Sequence, residues 1–530
     1  MLTPRDHQRS FYDTDSVCEQ LIPEDSFYRK FREIVVPLID DSMFESMYCL
    51  DNGRPPISPS LLAIACVLQF YRNLSDREME RACMYDIEVK YALGLRLDER
   101  PFDHSSLGDF RSRLLENGKE KGIFDRILGE LVAKGLVKKD EVQRIDATHV
   151  IADIAIPNVV TLIKKCIRDI VKTLSRRHKD VLDQIAGEID LSMYDRQTVN
   201  QAEDGRMDLD KRSALLVDVV ADAWLVVGYT KDVEGDHILK RRVDTLRQIL
   251  QENIDSNDNG KPKERTKKDK PPNIMVSPID PDARYGAKSK TKKFVGYKAN
   301  VTETVNSRFI TSITAMRGNR PDGETMVQAV TGQREHGVVP KKLIGDTAYG
   351  DALGRRDLDK NGTQVIAPLK ARKGKFQSIY HVSKFKYNEE ENTLTCPAGV
   401  SASPSYYESQ KEILTFHFPI PVCRTCRRRN RCTTSKEGRR TVGLGPGHLQ
   451  LREAEQYSKG KRFKNDMKLR SPVEGKLAEL IRWHGMRRAR YRGLNKVGLQ
   501  LYFTATAVNL KRWIKLELEK SHPKWAKAGA

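Results

Sequence analysis

Three acids in this 530-residue chain stand out by the segments that carry them. Asp146 sits in residues 142–156 (VQRIDATHVIADIAI), a β-branched run that reads as a strand and otherwise wants burial. Asp346 ends the short strand KKLIGD before a Thr-Ala-Tyr-Gly turn, and the carboxyl end of a strand is where open α/β sheets carry chemistry. Glu474 lies in PVEGKLAELIRWHG, where Pro472 opens a helix. Val473, Leu477, Leu480 and Ile481 form its apolar stripe, with Glu474 at the margin. Carboxylates from neighbouring strands and a supporting helix suit a pair of hard divalent cations, Mg²⁺ or Mn²⁺, about 3.5–4 Å apart. Such a pair activates a water or a hydroxyl against a phosphodiester. Singly, each acid reads as a cap or a solvated charge, and Asp153, Asp351 and Glu479 compete for the same roles.

Two further groups bear on chemistry. His484, Arg487, Arg488, Arg490, Tyr491 and Arg492 follow the Glu474 helix; arginine suits bidentate phosphate contact and Tyr491 suits stacking on an unpaired base. Lys293 and Lys298, with Tyr285, Lys288, Lys290 and Lys292 around them, are weaker candidates, because exposed strand edges carry lysines for solubility. Cys396, Cys423, Cys426 and Cys432 supply a CxxC pair and two more thiols, enough for a structural tetrahedral Zn²⁺; the competing reading is four reduced cysteines in a basic loop. The other five cysteines (Cys18, Cys49, Cys66, Cys83, Cys166) are scattered, which is no secreted disulfide framework. There is no GxxxxGK[ST] and no HExxH.

The elements that must position these residues alternate in character. Residues 1–140 read as helical, with Ser58-Pro59, the Ser75–Glu78 box and Asp103 as N-terminal signals and Gly135 as a stop. Residues 141–157 hold the first strand, and 158–278 a charged helical segment ending in a Gly-, Pro- and Lys-rich linker from 254 to 273. Residues 279–375 are β-rich: strands at 293–300 and 308–314, a helix over 322–334, and strands at 342–345 and 363–368. The cysteine segment spans 376–450, and 451–520 return to helix. The fold class is therefore a mixed α/β sheet with helical additions.

Lysine and arginine number 93 against 72 aspartate and glutamate, a net charge of +21 that favours a polyanionic partner. No apolar run reaches membrane-spanning length; the longest, 214–229, carries Asp218 and Asp222. The N-terminus has no signal-peptide core, so a cytoplasmic protein with no membrane partner is expected.

IDATHVIAD, DPDARYGAKSKTKKFVGYKAN, IGDTAYGD, SPVEGKLAELIRWHGMRRARYRGL and the helical PPISPSLLAIACVLQFYRNLSDREMERA resemble successive blocks of bacterial insertion-sequence DDE transposases. The resemblance spans nearly the whole chain. It implies an RNase H-like core in which the first and fourth strands lie side by side. It also implies Asp146, Asp346 and Glu474 as first, second and third acids binding Mg²⁺ or Mn²⁺. A helical N-terminal domain that binds double-stranded DNA at terminal inverted repeats, joining to target DNA, and a homodimer on DNA follow in the same way. The family's tyrosine–arginine–glutamate–lysine signature is partly present: Arg470 matches, but Met467 and Ile481 stand at the tyrosine and lysine positions, with Arg482 adjacent. Hairpin closure of the donor end is therefore not carried over. Two alternatives stand beside this reading: a nuclease on the same fold that never joins strands, and a repressor that binds without cutting.

Overall fold

The computed structural model describes residues 11–48, 56–195, 209–256, 260–289, 291–370 and 379–521; Cys49 and Lys290 lie outside them. Six strands build the central sheet: β1 (Gln143–Ile151), β2 (Arg284–Ala287), β3 (Lys293–Thr304), β4 (Ile310–Arg317), β5 (Lys342–Ile344) and β6 (Gln364–Ile366). β2 and β4 both pair antiparallel with β3, and β3 pairs antiparallel with β1. β1 then pairs parallel with β5, and β5 parallel with β6. The result is a mixed α/β sheet with β1 at the junction of its antiparallel and parallel halves.

Register sets up the chemistry. Asp146 lies opposite Val301, and Arg144 lies opposite Glu303 on one side and Ile344 on the other. Asp346 follows two residues beyond Ile344, just past the end of β5 on the strand neighbouring β1. Side chains alternate along a strand, so Arg144 and Asp146 share a face. Arg144 is buried there: its Nε donates to Glu303 Oε2 at 2.9 Å and its Nη1 to the Leu469 carbonyl at 2.9 Å. The strand carrying the first acid thus holds the chain just ahead of the Glu474 helix.

The N-terminal helices form where the sequence signals them. Ser58 caps Pro59–Arg72 through Leu61 N, Ser75 and Glu78 make a reciprocal capping box, and Asp103 caps His104–Glu116 through Ser105 N. Their apolar faces do not close on one another alone. The 28-residue helix Leu494–Ser521 carries apolar residues around most of its circumference and is shared by two cores. Leu499, Phe503, Leu510 and Trp513 pack among the N-terminal helices, with Phe503 stacked on Phe70 at 5.4 Å. Val497, Leu501, Ala505 and Val508 pack on the sheet beside Val301, Ile310 and Ile313. Asn509 seals this contact, donating to the Ile310 carbonyl and accepting from Ile310 N at 2.8 Å each.

Between β1 and β2, the helices Val159–Arg177, Leu209–Tyr229 and His237–Asn253 share a separate apolar core. The charged stretch after them includes a short hairpin, Ile254–Ser256 paired with Pro262–Glu264, where a linker was expected; Gly260, at φ +73, supplies the left-handed residue beside it. The helix expected over 322–334 is broken into a 3₁₀ turn (Asp322–Thr325), a short helix (Met326–Thr331) and a second 3₁₀ turn (Arg334–His336). Pro321 and Gly323 are poor helix interior residues, which keeps Asp322 in a turn. After β6, the cysteine-containing stretch forms two three-stranded antiparallel sheets around a small apolar core. Among the described residues no helix is long and apolar enough to cross a membrane.

Candidate active site

Asp146, Glu474 and Asp322 line one cleft of about 540 Å³, together with Thr148, His149, Lys288, Lys298, Arg482 and Arg487. Asp146 comes from mid-β1 and its side chain is only 14% exposed. Its Oδ1 accepts from Ala147 N at 2.9 Å, and its Oδ2 accepts from Arg470 Nη2 at 3.0 Å. Burial raises its carboxyl above the usual range; Arg470 and the Ala147 amide oppose this, and the nearby charges of Asp346 and Asp322 add to it. Asp346 does not line the cleft. It caps the Thr347–Tyr349 turn through Ala348 N at 2.8 Å and lies close enough for its charge to act on Asp146. Glu474 stands in the first turn of Val473–Arg482, exposed, with Val473 and Leu477 on its flank anchoring the helix in the core. Among the described residues no hydrogen bond or ion pair engages its carboxylate.

The three competitors are otherwise placed. Asp351 caps Ala352–Asp359 through Gly354 N at 2.8 Å. Asp153 is exposed beyond the end of β1. Glu479 is clamped at 3.0 Å by both Lys476 and Lys511; burial pushes its carboxyl up, but the two ammoniums more than offset this and hold it at about 2.

Asp322 was not singled out as a site acid because it read as a helix start. Lys298 Nζ bonds it at 2.6 Å, and Asn300 Nδ2 holds its carbonyl at 2.9 Å. The turn that carries it packs against the Asp346 turn so tightly that a Cβ on Gly323 would stand 2.4 Å from the Ala348 carbonyl oxygen. The GNRPDG turn, rich in residues that stop helices, is the signal that could have found it. His149 also faces the cleft, its ring 5.0 Å from that of Phe294. Burial, with Arg487 and Lys288 nearby, lowers its pKa to about 4, so it is neutral at pH 7.

The basic residues divide. The chain after the Glu474 helix runs beside the end of β1, with Ile151 N donating to the Arg487 carbonyl and Ala489 N to the Ile151 carbonyl, both at 2.8 Å. Arg487 is tied to the His149 carbonyl at 2.7 Å on the cleft wall. Arg482, Arg488, Arg492 and Lys293 have exposed side chains, and Lys298 is half-buried against Asp322. Three residues expected at DNA turn inward instead. His484 is buried, its Nδ1 3.1 Å from the Phe70 carbonyl oxygen. Arg490 donates to Leu74 O and Asn73 Oδ1, with its guanidinium 4.6 Å from the Phe70 ring centroid. Tyr491 lies under the Arg111 guanidinium at 5.2 Å. Trp483, passed over in sequence, is 69% exposed in this segment.

Among the described residues, the group of three metal-ligating side chains with all ligand atoms within 4.8 Å of one another is Glu80, Asp103 and His104. Helix capping by Asp103 and a 2.9 Å contact between His104 Nδ1 and Glu80 account for it. The three cleft acids stand wider apart than that limit, with Arg470 drawn in against Asp146.

Two family models match the chain: a transposase domain (DUF772) over residues 16–113 and a transposase DDE domain over residues 395–514. The first covers the N-terminal helices; the second covers the cysteines, Glu474 and most of the shared C-terminal helix. No curated protein and no solved structure matches. The pair of matches defines the class of the protein, a transposase. It is a DDE transposase of the insertion-sequence type, an enzyme that acts on DNA; nothing favours the nuclease or the repressor alternative.

Proposed function

We propose that Asp146, Asp346 and Glu474 are the catalytic acids of this transposase and hold two divalent cations, Mg²⁺ or Mn²⁺, over the phosphodiester at the end of a mobile element. The observation that carries this reading is Asp146 and Glu474, far apart in sequence, opening on one basic-walled cleft, with Asp346 near enough for its charge to act on Asp146. The strand order β4-β3-β1-β5-β6, with β1 flanked by one antiparallel and one parallel neighbour, supports an RNase H-like core. The donor set suits the cations: oxygen ligands only, and one acid, Glu474, with no partner among the described residues. Bound cations supply activation of a water or 3′-hydroxyl and stabilisation of the leaving oxygen.

The chain's own residues do the rest. Asp146 would hold a cation through the carboxylate that now accepts from Arg470, and Arg470, beside it, would be placed to meet phosphate. Arg482, Lys288 and Arg487 on the cleft wall meet the backbone of the cut strand, and exposed Arg488, Arg492 and Lys293 extend that contact along the duplex. Trp483 takes the base-stacking role expected of Tyr491. The N-terminal helices bind the terminal inverted repeats, and two protomers pair two ends. The test is a strand-transfer assay with pre-cut terminal-repeat DNA and a supercoiled target in Mg²⁺. Joined product from the native chain, lost in Asp146→Asn, Asp346→Asn and Glu474→Gln while end binding persists, supports the assignment. Hydrolysis without joining, or joining that survives any of the three changes, overturns it.

A further inference from the structure

The four late cysteines gather in the folded chain. Cys396, Cys423, Cys426 and Cys432 line a single cavity of about 260 Å³, and none of them is in a disulfide. They reach it from two tight turns. Cys396-Pro397-Ala398-Gly399 closes with Gly399 at φ +86 and Cys396 N bonded to the Val400 carbonyl at 2.8 Å. Cys423 lies in the helix Ile420–Thr425, Cys426 caps it, and Cys432 follows the turn Arg429–Arg431. In each turn a backbone amide two residues on points at a sulfur: Ala398 N to Cys396 Sγ and Arg428 N to Cys426 Sγ, both at 3.4 Å. Amides directed at sulfur favour thiolate over thiol, the form a metal needs. Arg428 ties the two turns together through the Pro397 carbonyl at 2.6 Å.

The surroundings point the same way. Among the described residues, the two small sheets around this cavity share a core of six buried apolar side chains: Phe385, Leu394, Phe416, Phe418, Val442 and Leu444. Below about 70–80 residues, a unit with so small a core needs a staple. Four thiolates on Zn²⁺ carry a net charge of −2, and Arg428, Arg429 and Arg440 line the cavity to balance it.

We propose that Cys396, Cys423, Cys426 and Cys432 bind one structural Zn²⁺ as a four-thiolate site that staples this β-rich unit between β6 and the Glu474 helix. The donor set is soft and closed, so the site is separate from the hard-cation cleft, and its success or failure leaves the transposase reading untouched. In this structure the sulfurs ring the cavity, with no three within 4.8 Å of one another. Zinc–sulfur distances of about 2.3 Å require the two turns to contract around the ion.

The test is metal analysis of the purified full-length chain after dialysis against EDTA. One zinc per chain is expected, released by a mercurial as the thiols are titrated. Cobalt replacement is expected to give the thiolate charge-transfer and tetrahedral visible bands. Cys423→Ser and Cys426→Ser are expected to lose the zinc, Cys432→His to retain it, and Asp146→Asn to leave it unchanged. If the cysteine variants prove insoluble, the zinc content and cobalt spectrum of the native chain decide. Zinc well below one per chain, thiols recovered as disulfides, or the visible absorption of an iron–sulfur cluster would overturn the proposal.

Discussion

Arg470 and Asp146 form the contact on which the cleft turns, because the carboxylate that accepts from the guanidinium is one proposed to hold a cation. On the proposed assignment Asp146 must be ionised to hold a metal. Burial raises its pKa and Arg470 limits the rise, so strand transfer is expected to fall as pH drops through that raised value. Arg470→Ala is expected to move the acid limb of the strand-transfer pH profile upward; an unmoved limb would separate Arg470 from the ionisation of Asp146. Glu479 serves as an internal contrast. Its pKa lies far below the unfolded value, so its ion pairs with Lys476 and Lys511 contribute stability above about pH 4.5, which is lost as pH falls toward 2. Glu479→Gln should leave metal-dependent cleavage in place and flatten the acid branch of the stability–pH curve, measured by thermal melts from neutral to acid pH. Cleavage lost at unchanged stability would put Glu479 among the catalytic acids instead.

At the scale of elements, one turn and one segment decide how the cleft is built. Gly323 lets the Asp322 turn lie against the Asp346 turn, and a side chain there collides with backbone rather than with a movable group. Gly323→Ala is expected to cost about 1–3 kcal/mol and to lower cleavage more than end binding, read from denaturant melts beside a gel-shift titration. Equal losses in both would mean a general unfolding. In the segment after the Glu474 helix, alternate residues have opposite fates. Arg490→Ala, which leaves Leu74 O and Asn73 Oδ1 without their donor, should destabilise the fold by about 1–3 kcal/mol with little change in salt dependence. Arg488→Ala with Arg492→Ala should barely affect stability but reduce the slope of log affinity against log salt by about two. A reversal of these effects would invert the assignment of inward and outward faces.

Across the whole molecule, the C-terminal helix joins what the chain order separates. Trp513, buried in the N-terminal core, is on the same helix as Val508 in the sheet core. Trp513→Ala should cost about 3–5 kcal/mol, and the loss should register in the sheet as well as in the N-terminal helices. Hydrogen exchange resolved by segment checks this. Acceleration confined to residues 11–133, with β3 and β4 unaffected, would show two independent units. The coupling has a functional reading: the helices proposed to hold the element end are rigidly set against the sheet that carries Asp146.

Much of the molecule is legible without coordinates. Local signals travel in short stretches: the Ser75–Glu78 capping box, the β-branched run around Asp146 and the proline ahead of the Glu474 helix each state their own conformation. The order of the blocks carries the family. What no local pattern encodes is which surface meets which. Tyr491 and Arg492 are adjacent and equally suited to nucleic acid, yet Tyr491 packs beneath Arg111 while Arg492 stays in solvent, a choice made by helices more than 370 positions away. Asp322 reads as the start of a helix until the close approach of Gly323 to Ala348 holds it in a turn at the cleft. The C-terminal helix reads simply as a helix until two cores claim opposite sides of it. Backbone conformation follows from neighbours in sequence, whereas burial and charge proximity follow from long-range packing, and that packing places acids from distant parts of the chain around one cleft.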